Sequence, residues 1–219
     1  MRRRTFVTGL CAAGAANAAG AQTGITVNRF GQGSSSQPTI LLLYGSDGLT
    51  NSGRYEFAAQ TIAAAGYTVL LPRYFEATGD SRARYTEIRT KFASWTQAIE
   101  SVLADRPASD RIGLVGFSLG GALALGLAAR SSKIRAVVDF FGFEPAGLDG
   151  GRRLPPTLIL HGDADRVVPV SNAASIERLI KAQGGVVETQ IYPGEGHGLS
   201  LASLSDAVGR TQDFLRRHV

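Results

Sequence analysis

Arg111-Ile112-Gly113-Leu114-Val115-Gly116-Phe117-Ser118-Leu119-Gly120-Gly121 is the stretch on which the fold turns. Arg111 to Val115 is a short apolar run of the kind that forms a buried parallel strand. Ala122 to Ala129 is small, apolar and rich in Ala and Leu, which suits a helix buried against a sheet. Between them the chain must turn within a few residues, with Ser118 at the apex. Larger side chains beside so sharp a turn would collide, hence Gly116 and Gly120. The turn lifts the Ser118 hydroxyl above the sheet, and the first amides of the following helix point where an oxyanion would form.

Two further strand ends carry polar residues of complementary chemistry. Thr157 to Leu160 is a strand-like run leading into His161-Gly162-Asp163-Ala164-Asp165-Arg166-Val167-Val168-Pro169. Val187 to Tyr192 is extended and ends in Pro193-Gly194-Glu195-Gly196-His197-Gly198. Open α/β sheets hold their sites at this edge, beyond the carboxyl ends of the strands. The hydroxyl of a serine is a poor nucleophile at neutral pH and needs a base, which His197 can supply. A carboxylate would then fix the tautomer of the imidazole. The chain order Ser, Asp, His is that of the α/β-hydrolases.

The chain resembles the dienelactone hydrolase family of α/β-hydrolases from about Thr39 to its C-terminus. The matching pieces are GFSLGG at 116–121, HGDADRVVP at 161–169, YPGEGHG at 192–198 and the tail Arg210-Thr211-x-x-Phe214-Leu215. The resemblance implies an α/β-hydrolase fold with a doubly wound, mostly parallel sheet. It makes Ser118 the nucleophile, Asp165 the acid and His197 the base. Asp163 competes for the acid role, but the family spacing favours Asp165. The backbone amide of Leu119 and that of Asp47, which follows the third-strand position, are the oxyanion-hole candidates, with Ser46 nearly as well placed. The founding lactone hydrolases carry cysteine where this chain has Ser118 and a glutamate near Ser46. Their substrate-holding arginines fall near Ala77 and Leu201, so neither is retained here. A dienelactone substrate therefore does not follow from the resemblance.

Composition agrees with one domain. At 219 residues, 44% hydrophobic and 19% charged, the chain can bury a full core unaided. The formal charge of +5 owes much to Arg2, Arg3 and Arg4; without residues 1–21, 20 basic residues face 18 acidic ones. A nucleic-acid reading loses its support. No uninterrupted apolar run is long enough for a membrane span. Three histidines without a carboxylate cluster carry no metal signature, and no cofactor is expected.

The first 21 residues read as a signal peptide of the twin-arginine type: Arg3-Arg4-x-Phe6-Val7, a weakly apolar Gly/Ala stretch, then Ala19-Gly20-Ala21. The competing reading is a basic N-terminus of a cytosolic protein. Cleavage after Ala21 would remove Cys11 and leave residues 22–219 as a single cysteine-free domain in the periplasm or outside the cell.

Along the rest of the chain, strands are expected at Ile25–Phe30, Thr39–Tyr44, Tyr67–Leu71 and Ile134–Phe141, besides those already named. Helices are expected from Ser52, as a cap, to Ala65, and over Ser81–Asp105, Ser171–Gln183 and Ser203–His218. Pro72 to Asp80 reads as a loop, and Arg73, Tyr74 and Phe75 either line the pocket or only cover the sheet. His161 is expected to shape its turn, and His218 to be solvated. Phe143 to Pro156, broken by Gly and Pro, is too short for a helical cap, so no cap domain and no lid are expected. The expectation is a serine hydrolase of small-molecule carboxylic esters or lactones, its oligomeric state open. Alternatives are a thioesterase or peptidase with the same triad, or a catalytically silent binding scaffold.

Overall fold

The computed structural model describes residues 24–32, 37–50, 52–107, 110–150 and 152–219. The leader at 1–21, with its arginine pair, its cleavage position and Cys11, lies outside the described residues. Among the described residues seven strands form one sheet in the order β1-β3-β2-β4-β5-β6-β7. They are β1 (Val27–Phe30), β2 (Thr39–Leu43), β3 (Thr68–Pro72), β4 (Ile112–Phe117), β5 (Ile134–Phe140), β6 (Thr157–Gly162) and β7 (Val187–Tyr192). Only β1 runs antiparallel, pairing with β3; every other neighbour is parallel. Among the described residues five α-helices cover the sheet: α1 (Gly53–Ala64), α2 (Ile88–Ala104), α3 (Leu119–Ala128), α4 (Ser171–Ala182) and α5 (Leu201–His218). This is the expected α/β-hydrolase architecture. Among the described residues of 143–156 there is no helix or strand, and no described helix is long and apolar enough to cross a membrane.

Burial follows the pattern that a doubly covered parallel sheet demands. All five residues of β2 are buried, as are all of β6, so their apolar character is continuous rather than alternating. Side chains on β4 divide between the two faces. Val115 and Phe117 line a cavity between α1 and α5, whereas a Cβ on Gly116 would sit 2.2 Å from the carbonyl oxygen of Gly120 in α3. Every residue of α3 except Gly126 is buried, which explains its lack of a polar face.

Four expectations are corrected. Ser52 precedes α1 without a side-chain capping bond. The helix read over Ser81–Asp105 begins only at Ile88, after a 3-10 turn at Tyr85–Glu87. Residues 81–84 are drawn instead onto the loop after β2: the Ala83 amide donates to the Ser46 carbonyl at 2.8 Å. At that contact Gly48, with φ +67°, leaves room only for hydrogen, since a Cβ would lie 2.0 Å from the Ser81 carbonyl oxygen. The supposed loop at Pro72–Asp80 contains a 3-10 turn, Tyr74–Thr78, whose Tyr74 and Phe75 are buried, so they cover the sheet. His218 is half-buried against the ring of Phe214, at 4.6 Å between centroids, and burial pulls its imidazole below the usual range.

Candidate active site

Ser118 stands between β4 and α3 with φ 54° and ψ −116°, a conformation that side chains other than glycine rarely adopt. Its surroundings hold it there. The Ser118 amide donates to the Phe140 carbonyl of β5 at 2.8 Å. Gly120 lies so close to β2 that a Cβ would meet the Leu43 carbonyl oxygen at 2.1 Å. The glycines are thus demanded by close approach on both sides of the turn, and the strain is borne by packing around it.

The structure brings Ser118, Asp165 and His197 together. His197 Nε2 lies 2.9 Å from Ser118 Oγ, and its Nδ1 lies 2.7 Å from Asp165 Oδ2. With a carboxylate at Nδ1, that nitrogen carries the proton and Nε2 is free to accept from the hydroxyl. Asp165 is itself tightly held: its Oδ1 accepts from the amides of Val167 at 2.8 Å and Val168 at 2.9 Å. Burial pushes its carboxyl up, but the bond from His197 and the two amides outweigh that and hold it below the usual carboxylate range. His161 supports the same turn. Its Nε2 donates to the Val168 carbonyl at 2.9 Å and lies 3.4 Å from Asp165 Oδ2. Burial lowers the His161 pKa, so the ring stays neutral there. Asp163 takes no part in this relay and accepts from the Gly194 amide at 2.6 Å.

Leu119 opens α3, so its amide is one of the helix's free first-turn donors. Leu119 and Ser46 line the same cleft of about 380 Å³ as Ser118. The side chain of Asp47 is tied away from the cleft. It accepts from Tyr55 Oη at 2.6 Å and pairs with Arg54 at 2.5 Å, while Tyr55 Oη also accepts from the Gly45 amide at 2.9 Å. Tyr55 thereby pins both ends of the loop that carries the Ser46 and Asp47 amides. Nothing local in the sequence marks Tyr55 for this task; it sits on the first turn of α1 and reaches the loop only through the fold.

Two other residues escape sequence reasoning. Phe141, with φ 43°, packs edge-on against the His197 ring at 4.9 Å between centroids. Asp139, wholly buried at the end of β5, accepts from the Gly142 amide at 3.0 Å, and its Oδ2 has no partner among the described residues. Burial drives its carboxyl up to about 7. A carboxylate in the apolar run Ala136-Val137-Val138-Asp139-Phe140 was the available signal. No group of His, Cys, Asp and Glu among the described residues is arranged to hold a metal ion.

Comparisons with known proteins bear on the family and the fold. A carboxymethylenebutenolidase homolog from Xenopus tropicalis is 24% identical over 155 residues, covering 65% of this chain and 62% of that protein. Acyl-protein thioesterase 1 of Neurospora crassa is 32% identical over 138 residues, covering 58% of this chain and 54% of the relative. The matched stretch is therefore under two thirds of the length of these relatives. A solved structure of a putative dienelactone hydrolase from Klebsiella pneumoniae superposes with a TM-score of 0.73 at 18% identity, over 88% of this chain and 92% of that one. The sequence profile of the dienelactone hydrolase family matches residues 30–210, from the end of β1 to well inside α5, and so spans every element that builds the site. The chain belongs to the dienelactone hydrolase family.

Proposed function

We propose that the chain is a serine hydrolase that cleaves carboxylic ester or lactone bonds through an acyl-enzyme. The observation that carries this reading is the continuous relay from Ser118 Oγ through His197 to Asp165, with spacings of 2.9 and 2.7 Å. His197 Nε2 takes the hydroxyl proton as Oγ attacks the carbonyl carbon. The resulting oxyanion is held by the amides of Leu119 and Asp47, with Ser46 adjacent. The protonated imidazole, steadied by Asp165, then returns its proton to the leaving oxygen as the tetrahedral intermediate collapses. Water, activated by the same imidazole, releases the acid and restores Ser118.

The family membership and the similarity to a carboxymethylenebutenolidase homolog support an ester or lactone substrate. The 32% identity to an acyl-protein thioesterase favours thioesters as a second substrate class for the same relay. The arginine pair and Ala19-Gly20-Ala21 support export through a twin-arginine route, which N-terminal sequencing of the protein recovered from the periplasm would test.

The deciding experiment is labelling with a fluorophosphonate together with short-chain ester hydrolysis. Wild-type protein should label at Ser118. Ser118→Ala should fold, fail to label and lose on the order of 10⁴–10⁶ in kcat. Undiminished turnover by that variant would remove Ser118 from the chemistry.

A further inference from the structure

The cleft at Ser118 does not end there. It is bounded by Tyr85, Ile88 and Phe143, and these three residues also form one end of a larger groove of about 1080 Å³. That groove runs along α2 past Phe92 and Gln97 to Glu100, with Gly126 of α3 and Ala129 just after it as its floor and residues 143–148 as its far wall. A lactone ring fits within the 380 Å³ of the cleft alone, so the groove provides room that a small substrate would not use.

We infer that this groove binds the acyl chain of the substrate, making medium- to long-chain acyl esters the preferred substrates; this rests on the hydrolase reading above. Three observations carry it. The floor and walls are chiefly apolar, with Ile88, Phe92, Phe143 and Leu148 among them. Of the polar lining residues, Arg89, Gln97 and Arg130 are exposed, Arg130 is engaged by Glu100 at 2.9 Å, and the buried Thr96 donates to the Phe92 carbonyl at 2.8 Å. Tyr85, at the junction with the cleft, leaves 68% of its surface in solvent, an exposure that a chain lying across the ring would cover. The assignment to the acyl half follows from the proton path. The leaving oxygen must receive its proton from His197 Nε2, so the departing group faces His197. The cleft that opens into the groove is lined by Ser118 and Leu119 and not by His197, so the groove lies on the side of the half that stays on Ser118.

A second apolar cavity, of about 330 Å³ between α1 and α5, is the competing place for a chain. It contains none of the residues that line the cleft; its nearest approach to the relay is through Gly198 and through Phe141, whose ring packs against His197.

The test is kcat/KM for a series of p-nitrophenyl esters from acetyl to decanoyl. It would be run on full-length wild type and on Ala93→Trp, Ala146→Trp and Ala58→Trp. Ala93 and Ala146 are exposed positions lining the groove, so a large side chain fills it without entering the core. Ala58 lines the other cavity. Complete burial of a methylene corresponds to about fourfold, and this groove is open along one side, so about twofold per methylene is expected. The two groove variants should lose tenfold or more of the decanoyl rate, on the order of the gain they block, while keeping acetyl hydrolysis within about twofold. Ala58→Trp should leave the whole series unchanged. A flat chain-length series in a protein that labels at Ser118 would overturn the groove assignment alone. Loss of the long-chain preference only in Ala58→Trp would place the chain between α1 and α5 and overturn it too. Failure to label at Ser118 would strike instead at the hydrolase reading beneath it.

Discussion

Asp139 and Asp165 stand at the ends of neighbouring strands, β5 and β6, and both are buried, yet they are opposite in character. The carboxylate of Asp165 receives two amides and an imidazole N–H, and its pKa is held down despite burial. Asp139 receives one amide from Gly142, and burial raises it to about 7. Hydrogen-bond donors, not depth, decide which of the two carries a charge. The turn at 163–168 folds back to offer its amides to Asp165. The end of β5 instead wraps Asp139 in glycine, with positions 121 and 142 so close that a Cβ at either would lie 2.0 or 2.2 Å from Oδ1.

The largest effect expected from breaking this contrast is on catalysis. Asp165→Asn keeps the shape but presents an amide that favours the wrong imidazole tautomer, and kcat on a short-chain ester should fall by about 10⁴. Asp139→Asn should leave kcat within about tenfold, because Asp139 does not touch the imidazole and acts only on the packing behind the elbow. A comparable loss in both variants would mean that the two carboxylates share the work.

Stability should separate them next, with opposite signs in pH. An acid whose folded pKa lies above its unfolded value binds its proton more tightly when folded. Asp139 therefore contributes a loss of stability as pH rises from about 4, the unfolded value, to about 7, the folded one. The slope approaches about 1.4 kcal/mol per pH unit inside that window and vanishes above it. Asp165 runs the other way: its contribution is present above the unfolded value and is lost as pH falls through its lowered folded one. Urea unfolding at pH 5 and pH 8 measures the Asp139 contribution, both values lying above the Asp165 window. Asp139→Asn keeps an acceptor for the Gly142 amide and should be relatively more stable at pH 8 than at pH 5, compared with wild type. An identical difference at both pH values would mean that Asp139 is ionised in the folded protein throughout.

The same contrast marks what was legible in sequence. Ser118, Asp165 and His197 were readable because each sits in a local motif whose glycines and strand ends constrain the backbone within a few residues. The parallel core was readable from continuous apolar runs such as Thr39 to Leu43. Tyr55 and Phe141 work through partners far along the chain, so no short pattern announces them, and Asp139 is marked only as a carboxylate within an apolar run. The helix read from Ser81 failed for a related reason. Residues 81–84 have adequate helix propensity, but the Ser46 carbonyl and the backbone of Gly48 hold them elsewhere. Those displaced residues lead directly into Tyr85 and Ile88, which join the cleft to its groove.

The smallest effect belongs to the third carboxylate of this edge. Asp163 lies two residues before Asp165 on the same turn, and sequence alone leaves it a rival for the acid role. Its Oδ1 accepts from the amide of Gly194, where the chain turns with φ 76° on its way to His197. Asp163 thus ties the loop of Asp165 to the loop of His197 without meeting the imidazole. Asp163→Asn retains an acceptor oxygen and should change kcat by no more than a few-fold. Asp163→Ala removes the tie, and a small drift of His197 relative to Ser118 should then cost up to about tenfold. Both variants should label at Ser118 with fluorophosphonate, the alanine variant more slowly in proportion to its kcat. A loss for Asp163→Asn as large as that for Asp165→Asn would transfer the acid role to Asp163, against the 2.7 Å contact that joins Asp165 to His197.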